Sequence, residues 1–126
     1  EAERLNAIES SLADLRQRAG ELGGIFDYDA KASRLAEVNK ELEDPDVWND
    51  SKHAQALGKE KKLLDGVVMT LSALDNDLRD TQDLFDMARE ENDDDTLVAC
   101  EADAAAIEAR CLDRGRRVGL GLLQPP

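Results

Sequence analysis

The residues whose types could do chemistry are few. They are two cysteines, Cys100 and Cys111, one histidine, His53, one tryptophan, Trp48, and a run of carboxylates in "ENDDD", Glu91 to Asp95. A thiolate nucleophile needs a base beside it, usually a histidine that a third group orients. A metal site needs several nitrogen, sulfur or carboxylate ligands converging on one point. A single histidine cannot serve as both ligand and base, and no histidine lies near either cysteine in sequence. His53 is expected in the first turn of a helix, exposed. The cysteines are eleven residues apart in one predicted helix, which separates them by roughly 16 Å, beyond disulfide reach. They read as small core hydrophobes of a chain kept in a reducing, cytoplasmic compartment. "ENDDD" lacks the alternating ligands, central glycine and closing glutamate of a calcium loop, and reads as a turn rich in helix-capping residues. Phosphate loops, dinucleotide fingerprints, HExxH and serine elbows are missing, and "GLGLL" near the end has neither the strand nor the helix of a cofactor turn. No catalytic, cofactor-binding or metal-binding residue is assigned, and no enzyme is expected.

The elements that carry these residues follow from composition and period. Of 126 residues, 41% are hydrophobic, 36% charged and 3% aromatic. That mixture at helical spacing predicts an all-α fold and leaves too few β-branched and aromatic residues for a sandwich. Net charge is −13, which repels nucleic-acid phosphates and anionic membranes and favours basic protein partners. No apolar run approaches the ~20 residues of a membrane span.

Leu5, Ile8, Leu12, Leu15, Ala19 and Leu22 step by three and four, the pattern of a first amphipathic helix. Gly23-Gly24 is expected to end it in a left-handed turn. Ile25 and Phe26 follow, placed to pack down onto the bundle. A second helix, capped by Asp27 or Asp29, would have Tyr28, Ala32, Leu35, Val38 and Leu42 as its apolar face. Leu57, Leu64, Leu71, Leu78 and Phe85 then recur every seventh residue, with Val67, Leu74, Thr81 and Ala88 as companion seam. They predict a long coiled-coil-like helix from about Lys52 to Glu91. A last helix carries Leu97, Cys100, Ala104, Ile107 and Cys111, and its short connection predicts an antiparallel hairpin. The fold expected is an elongated antiparallel helix bundle.

One stretch breaks the heptads, "LEDPDVWNDSKHA", Leu42 to Ala54. Pro45 disfavours helix at Asp44, while Asp44-Pro45 is also a helix start, an N-cap followed by proline. "DPDVWN" therefore reads as one short turn, and "NDS" as the cap of the next helix. Trp48 sits on the corner. The reading preferred is burial over two helix ends, at a cost of about 3 kcal/mol on truncation to alanine. The alternative is an exposed anchor for a partner.

The tract "FDYDAKASRLAEVNKELEDPDVWNDSKHAQALGKEKKLLDGVV", Phe26 to Val68, resembles the N-terminal helical domain of bacterial class I peptide chain release factors, most closely the branch that reads UGA and UAA. The resemblance takes in about residues 1–110 through the weaker heptads on either side. It implies a role in translation termination, as a docking or spacer arm facing the stalk base of the large ribosomal subunit, with the GTPase release factor as a further partner. The net charge of −13 argues against direct nucleic-acid binding by this chain, and a bundle domain is expected to run as a monomer or weak dimer. The family's Ser-Pro-Phe codon-reading and Gly-Gly-Gln hydrolysis tripeptides do not occur in this sequence. Residues 111–126, "CLDRGRRVGLGLLQPP", lose the heptad and depart from the family, with three Arg, three Gly and two Pro. They are expected to finish the last helix and then to be disordered or non-native. The competing reading is a self-associating acidic coiled-coil scaffold unrelated to translation; the Asp44–Asp50 corner, from which a scaffold coil gains little, speaks against it.

Overall fold

The structure, a computed structural model, describes the backbone of residues 2–123 and the side chains of residues 2–113. Among the described residues all regular structure is helical: α1 (Ala2–Ile25), α2 (Tyr28–Glu43), a 3-10 turn (Pro45–Asn49), α3 (Ser51–Glu91) and α4 (Asp94–Leu123). The chain divides into two compact units, one of Glu1–Leu22 with Ala73–Pro126, the other Gly23–Ser72.

In the first unit, Arg89 on α3 pairs with Glu9 on α1 at 3.7 Å, and Arg110 on α4 pairs with Asp77 on α3 at 2.6 Å. Arg4 reaches Glu101 and Arg18 reaches Glu108, so α1 and α4 rise together and α3 runs against both. The apolar stripes close inward. Ile8, Leu12, Leu15 and Leu22 are buried, as are Leu74, Leu78, Phe85 and Ala88, and the whole predicted face of α4, Leu97, Cys100, Ala104, Ile107 and Cys111. The two thiols are therefore core side chains, as their spacing suggested.

In the second unit, α2 lies antiparallel to the first part of α3. Val38, Leu57 and Leu64 form its buried cluster, with Leu35, Leu42 and Val47 packed against it. Tyr28 Oη and Ser72 Oγ share a hydrogen bond of 2.7 Å, and Lys61 donates to Asn39 at 2.7 Å.

The helices stop where capping residues fall. Asn92 adopts a left-handed φ of 53°, and the Asp93 N–H donates to Ala88 O at 3.0 Å, the six-to-one bond of a Schellman end. The Asp93 carboxylate then opens α4, accepting from Thr96 N at 3.2 Å and Thr96 Oγ1 at 2.7 Å. One residue thus closes α3 and starts α4. Asp44 Oδ1 accepts from Asp46 N, with Pro45 behind it, and Asp50 Oδ1 accepts from His53 N.

Three local expectations are corrected. α1 does not end at Gly23-Gly24; it continues to Ile25, and the left-handed residue is Asp27, with φ 53°. Aspartate tolerates that conformation better than most residues. Asp27 occupies the cap position of α2, yet its side chain makes no capping hydrogen bond. Ile25 does not pack down; it is 58% exposed.

Trp48 is the third. It is 63% exposed, not buried. Neighbouring residues of a 3-10 helix point about 120° apart. Val47 takes the inward direction, against the Val38 cluster, and so turns Trp48 outward. The boundary expected at residues 110 and 111 falls inside α4, whose backbone continues to Leu123. The disordered or non-native end expected of the tail, where it falls on residues 124–126, lies outside the described residues.

Candidate functional site

The residues first weighed for chemistry are not brought together. His53 lies exposed at the start of α3, its backbone N–H spent on the Asp50 cap. Cys100 and Cys111 are buried in the other unit, and burial pushes both thiols up from their ordinary value. A thiol so placed is a poor nucleophile at neutral pH. The Glu91–Asp95 carboxylates serve helix ends. The Asp93 carboxyl is held below its usual range first by the Thr96 hydroxyl, then by backbone N–H groups. Among the described residues no group of His, Cys, Asp or Glu has the makings of a metal site, and no helix is long and apolar enough to cross a membrane.

The corner between α2 and α3 is where unusual features converge. Its frame is a charged clamp. Arg34 on α2 donates Nε to Glu60 Oε2 at 2.7 Å and Nη2 to Glu60 Oε1 at 2.9 Å. The fork geometry of guanidinium and carboxylate makes such a pair directional as well as strong. Its third nitrogen meets Glu37 at 3.2 Å and Glu41 at 4.0 Å. The hydrogen bonds that Arg34 donates to Glu60 and Glu37 raise its pKa, and the same Arg34 bond holds Glu60 below the usual carboxylate range. Side by side with the apolar cluster, this clamp ties α2 to α3.

At that end the Trp48 indole N–H donates to Leu42 O at 3.1 Å. The last carbonyls of a helix have no partner within it, so the indole closes one of them. The ring is anchored at its edge while most of its surface stays in solvent. Toward the same end of α2, Glu37, Lys40, Glu41, Glu43 and Asp44 line an open depression. The corner presents an exposed aromatic ring, with the exposed carboxylates of Glu43, Asp44 and Asp46 within a few residues of it in the chain, which suits recognition and not bond-breaking. Proline, aspartate and tryptophan in "DPDVWND" signal the corner in sequence; the outward direction of the ring depends on the phase of a five-residue turn, which no periodic pattern reports.

Comparison with known proteins agrees with the tract from which the resemblance was read. The PCRF domain model matches residues 31–125. Peptide chain release factor 2 of Burkholderia cenocepacia is 76% identical over 113 residues, 90% of this chain and 31% of that protein. The same-named protein of Burkholderia pseudomallei is 74% identical over the same length. That of a Janthinobacterium species is 62% identical over 107 residues, 85% of this chain and 29% of its own. The chain thus spans about a third of the length of the relatives it matches. With the domain match running from residue 31 to 125 of 126, and with identities this high, the chain belongs to the PCRF-domain family, alongside the bacterial peptide chain release factors.

Proposed function

We propose that the chain is the helical docking arm of a cytoplasmic release factor that acts in translation termination at UGA and UAA codons. The identity of 76% across 90% of the chain carries the reading. On this reading the arm contacts basic proteins at the stalk base of the large ribosomal subunit, and the GTPase release factor is a second partner. Its own chemistry favours protein over nucleic acid, because a net charge of −13 opposes contact with phosphates and attracts cationic surfaces. Codon reading and peptidyl-tRNA hydrolysis belong to tripeptides that this sequence does not contain. Hydrolysis needs donors aimed at a developing oxyanion, and the corner around Trp48 offers carboxylates, which are acceptors.

The self-associating scaffold is the weaker reading. Leu57, Leu64, Leu71, Leu78 and Phe85, the seam that would pair two copies, are all buried within one copy of the chain. The test is a binding and release assay on ribosomes programmed with a stop codon and carrying labelled peptidyl-tRNA. The chain in excess is expected to bind stalk-base proteins more weakly as salt rises and to release no peptide. Tight binding to protein-free ribosomal RNA, or release above background, would overturn the proposal.

A further inference from the structure

Most exposed apolar side chains here are single methionines and aliphatics on helix faces, such as Leu63, Met69 and Met87, and isolated ones need no explanation. Trp48 differs in three respects. It is the only tryptophan. Its orientation is fixed by the bond to Leu42 O, on a turn stiffened by Pro45, by the Asp44 cap and by inward Val47. Its exposed ring contributes little to the core. A flat side chain already held in place gives up little freedom on binding, and tryptophan is the residue most enriched at the centres of protein interfaces.

The surroundings state the partner's chemistry. Glu43 and Asp44 directly follow the carbonyl that holds the indole, Asp46 lies two residues before Trp48, and all three are exposed. Glu37 and Glu41 are partly answered by Arg34, and Lys40 is the cation of the depression at this end of α2; the three exposed carboxylates close to Trp48 in the chain outnumber it. A guanidinium suits this setting better than an ammonium, because its plane stacks on an indole face while its edge forks onto a carboxylate.

We propose that Trp48, with Glu43, Asp44 and Asp46, is the docking surface for an arginine-bearing basic segment of a protein partner. The guanidinium lies on the exposed indole face, and neighbouring cations of the same segment meet the carboxylates. The inference rests on the docking-arm reading and gives that arm a contact point and a partner chemistry.

The sole tryptophan makes the test direct. The full chain is titrated with a capped ten-residue peptide of alternating arginine and glycine, with its lysine counterpart, and with isolated stalk-base proteins, following indole fluorescence. The arginine peptide should perturb the indole and bind more tightly than the lysine peptide. Trp48→Ala, followed by calorimetry and checked for helicity, should bind the arginine peptide about threefold to fivefold more weakly. The pair Glu43→Gln with Asp46→Asn should weaken it similarly, whereas Asp80→Asn with Asp83→Asn, which removes the same charge from the other unit, should leave it within about twofold. Equal losses from the two charge pairs, or none from Trp48→Ala, would reduce the binding to general attraction and overturn the proposal. So would an indole signal that changes with chain concentration alone, since a second copy would then cover the ring. If stalk-base proteins bind Trp48→Ala as well as the parent chain, the surface assignment fails and the docking arm stands. If the arginine peptide engages Trp48 but no stalk-base protein binds, the docking arm fails and the surface stands.

Discussion

The Arg34 guanidinium and the Glu60 carboxylate, 26 residues apart in sequence, meet through two hydrogen bonds of 2.7 and 2.9 Å between α2 and α3. Glu60 is held ionised below the usual range by that partner. The pair therefore favours the folded state above the ordinary glutamate value of 4.5, and the contribution is lost as pH falls through the lowered folded value. Glu60→Gln should lower the urea midpoint at pH 7. The gap from the parent chain should close on acidification, because the parent then loses the same charge. Urea melts at intervals from neutral to strongly acid pH check this; a gap that stays constant with pH would contradict it.

Asp93→Ala should lower the thermal midpoint by a few degrees, since it removes the cap of α4. Asp93→Asn should retain most of it, because the amide oxygen still accepts from Thr96 N. Hydrogen exchange should localise the loss to the first turn of α4. Protection unchanged at Thr96 in the alanine variant would argue against the cap.

The backbone at the end of α1 sets the sign of three substitutions. Nothing lies within 4 Å of a Cβ added at Gly24, inside the helix. Gly24→Ala should therefore stabilise the chain by roughly 0.5 to 1 kcal/mol. Asp27→Gly should also stabilise it, because glycine takes a φ of 53° without the crowding a side chain meets there. Asp27→Val should destabilise. Denaturant melts of the three variants would settle the signs.

Two aromatic truncations should separate widely. Phe85 is fully buried, and Phe85→Ala should cost about 3 to 5 kcal/mol. Trp48→Ala removes one hydrogen bond and a ring already in water, and should cost about 1 kcal/mol or less. Equal costs in denaturant melts would mean that the Trp48 ring is covered in the folded chain.

What the sequence reveals of this fold has a physical basis. A buried stripe repeats, so Leu57 through Phe85 and Leu97 through Cys111 were legible as inner faces before any coordinates. Helix ends were legible where side-chain chemistry dictates them, at Asp44-Pro45, at Asp50 and at Asp93. Gly23-Gly24 misled because a glycine permits a left-handed turn without requiring one; Asp27 takes it instead. Trp48 misled because its direction follows from Val47 winning the inward slot, a competition settled by packing across the corner. The Arg34–Glu60 clamp joins residues with no periodic relation, so only the fold pairs them. The candidate site was visible as a place, the broken heptad, and invisible as a surface.

Cys100 and Cys111 lie on the inner face of α4, 0% and 4% exposed, with burial raising both thiols. A labelling reagent in solution meets neither until the helices around them part. The rate at which the two native thiols are modified therefore counts openings of that unit and not the reactivity of sulfur. Without any engineered probe, the bundle carries a clock for its own breathing. Comparing that clock with and without a bound basic protein would show whether docking quiets the unit that holds the cysteines or leaves its pace unchanged.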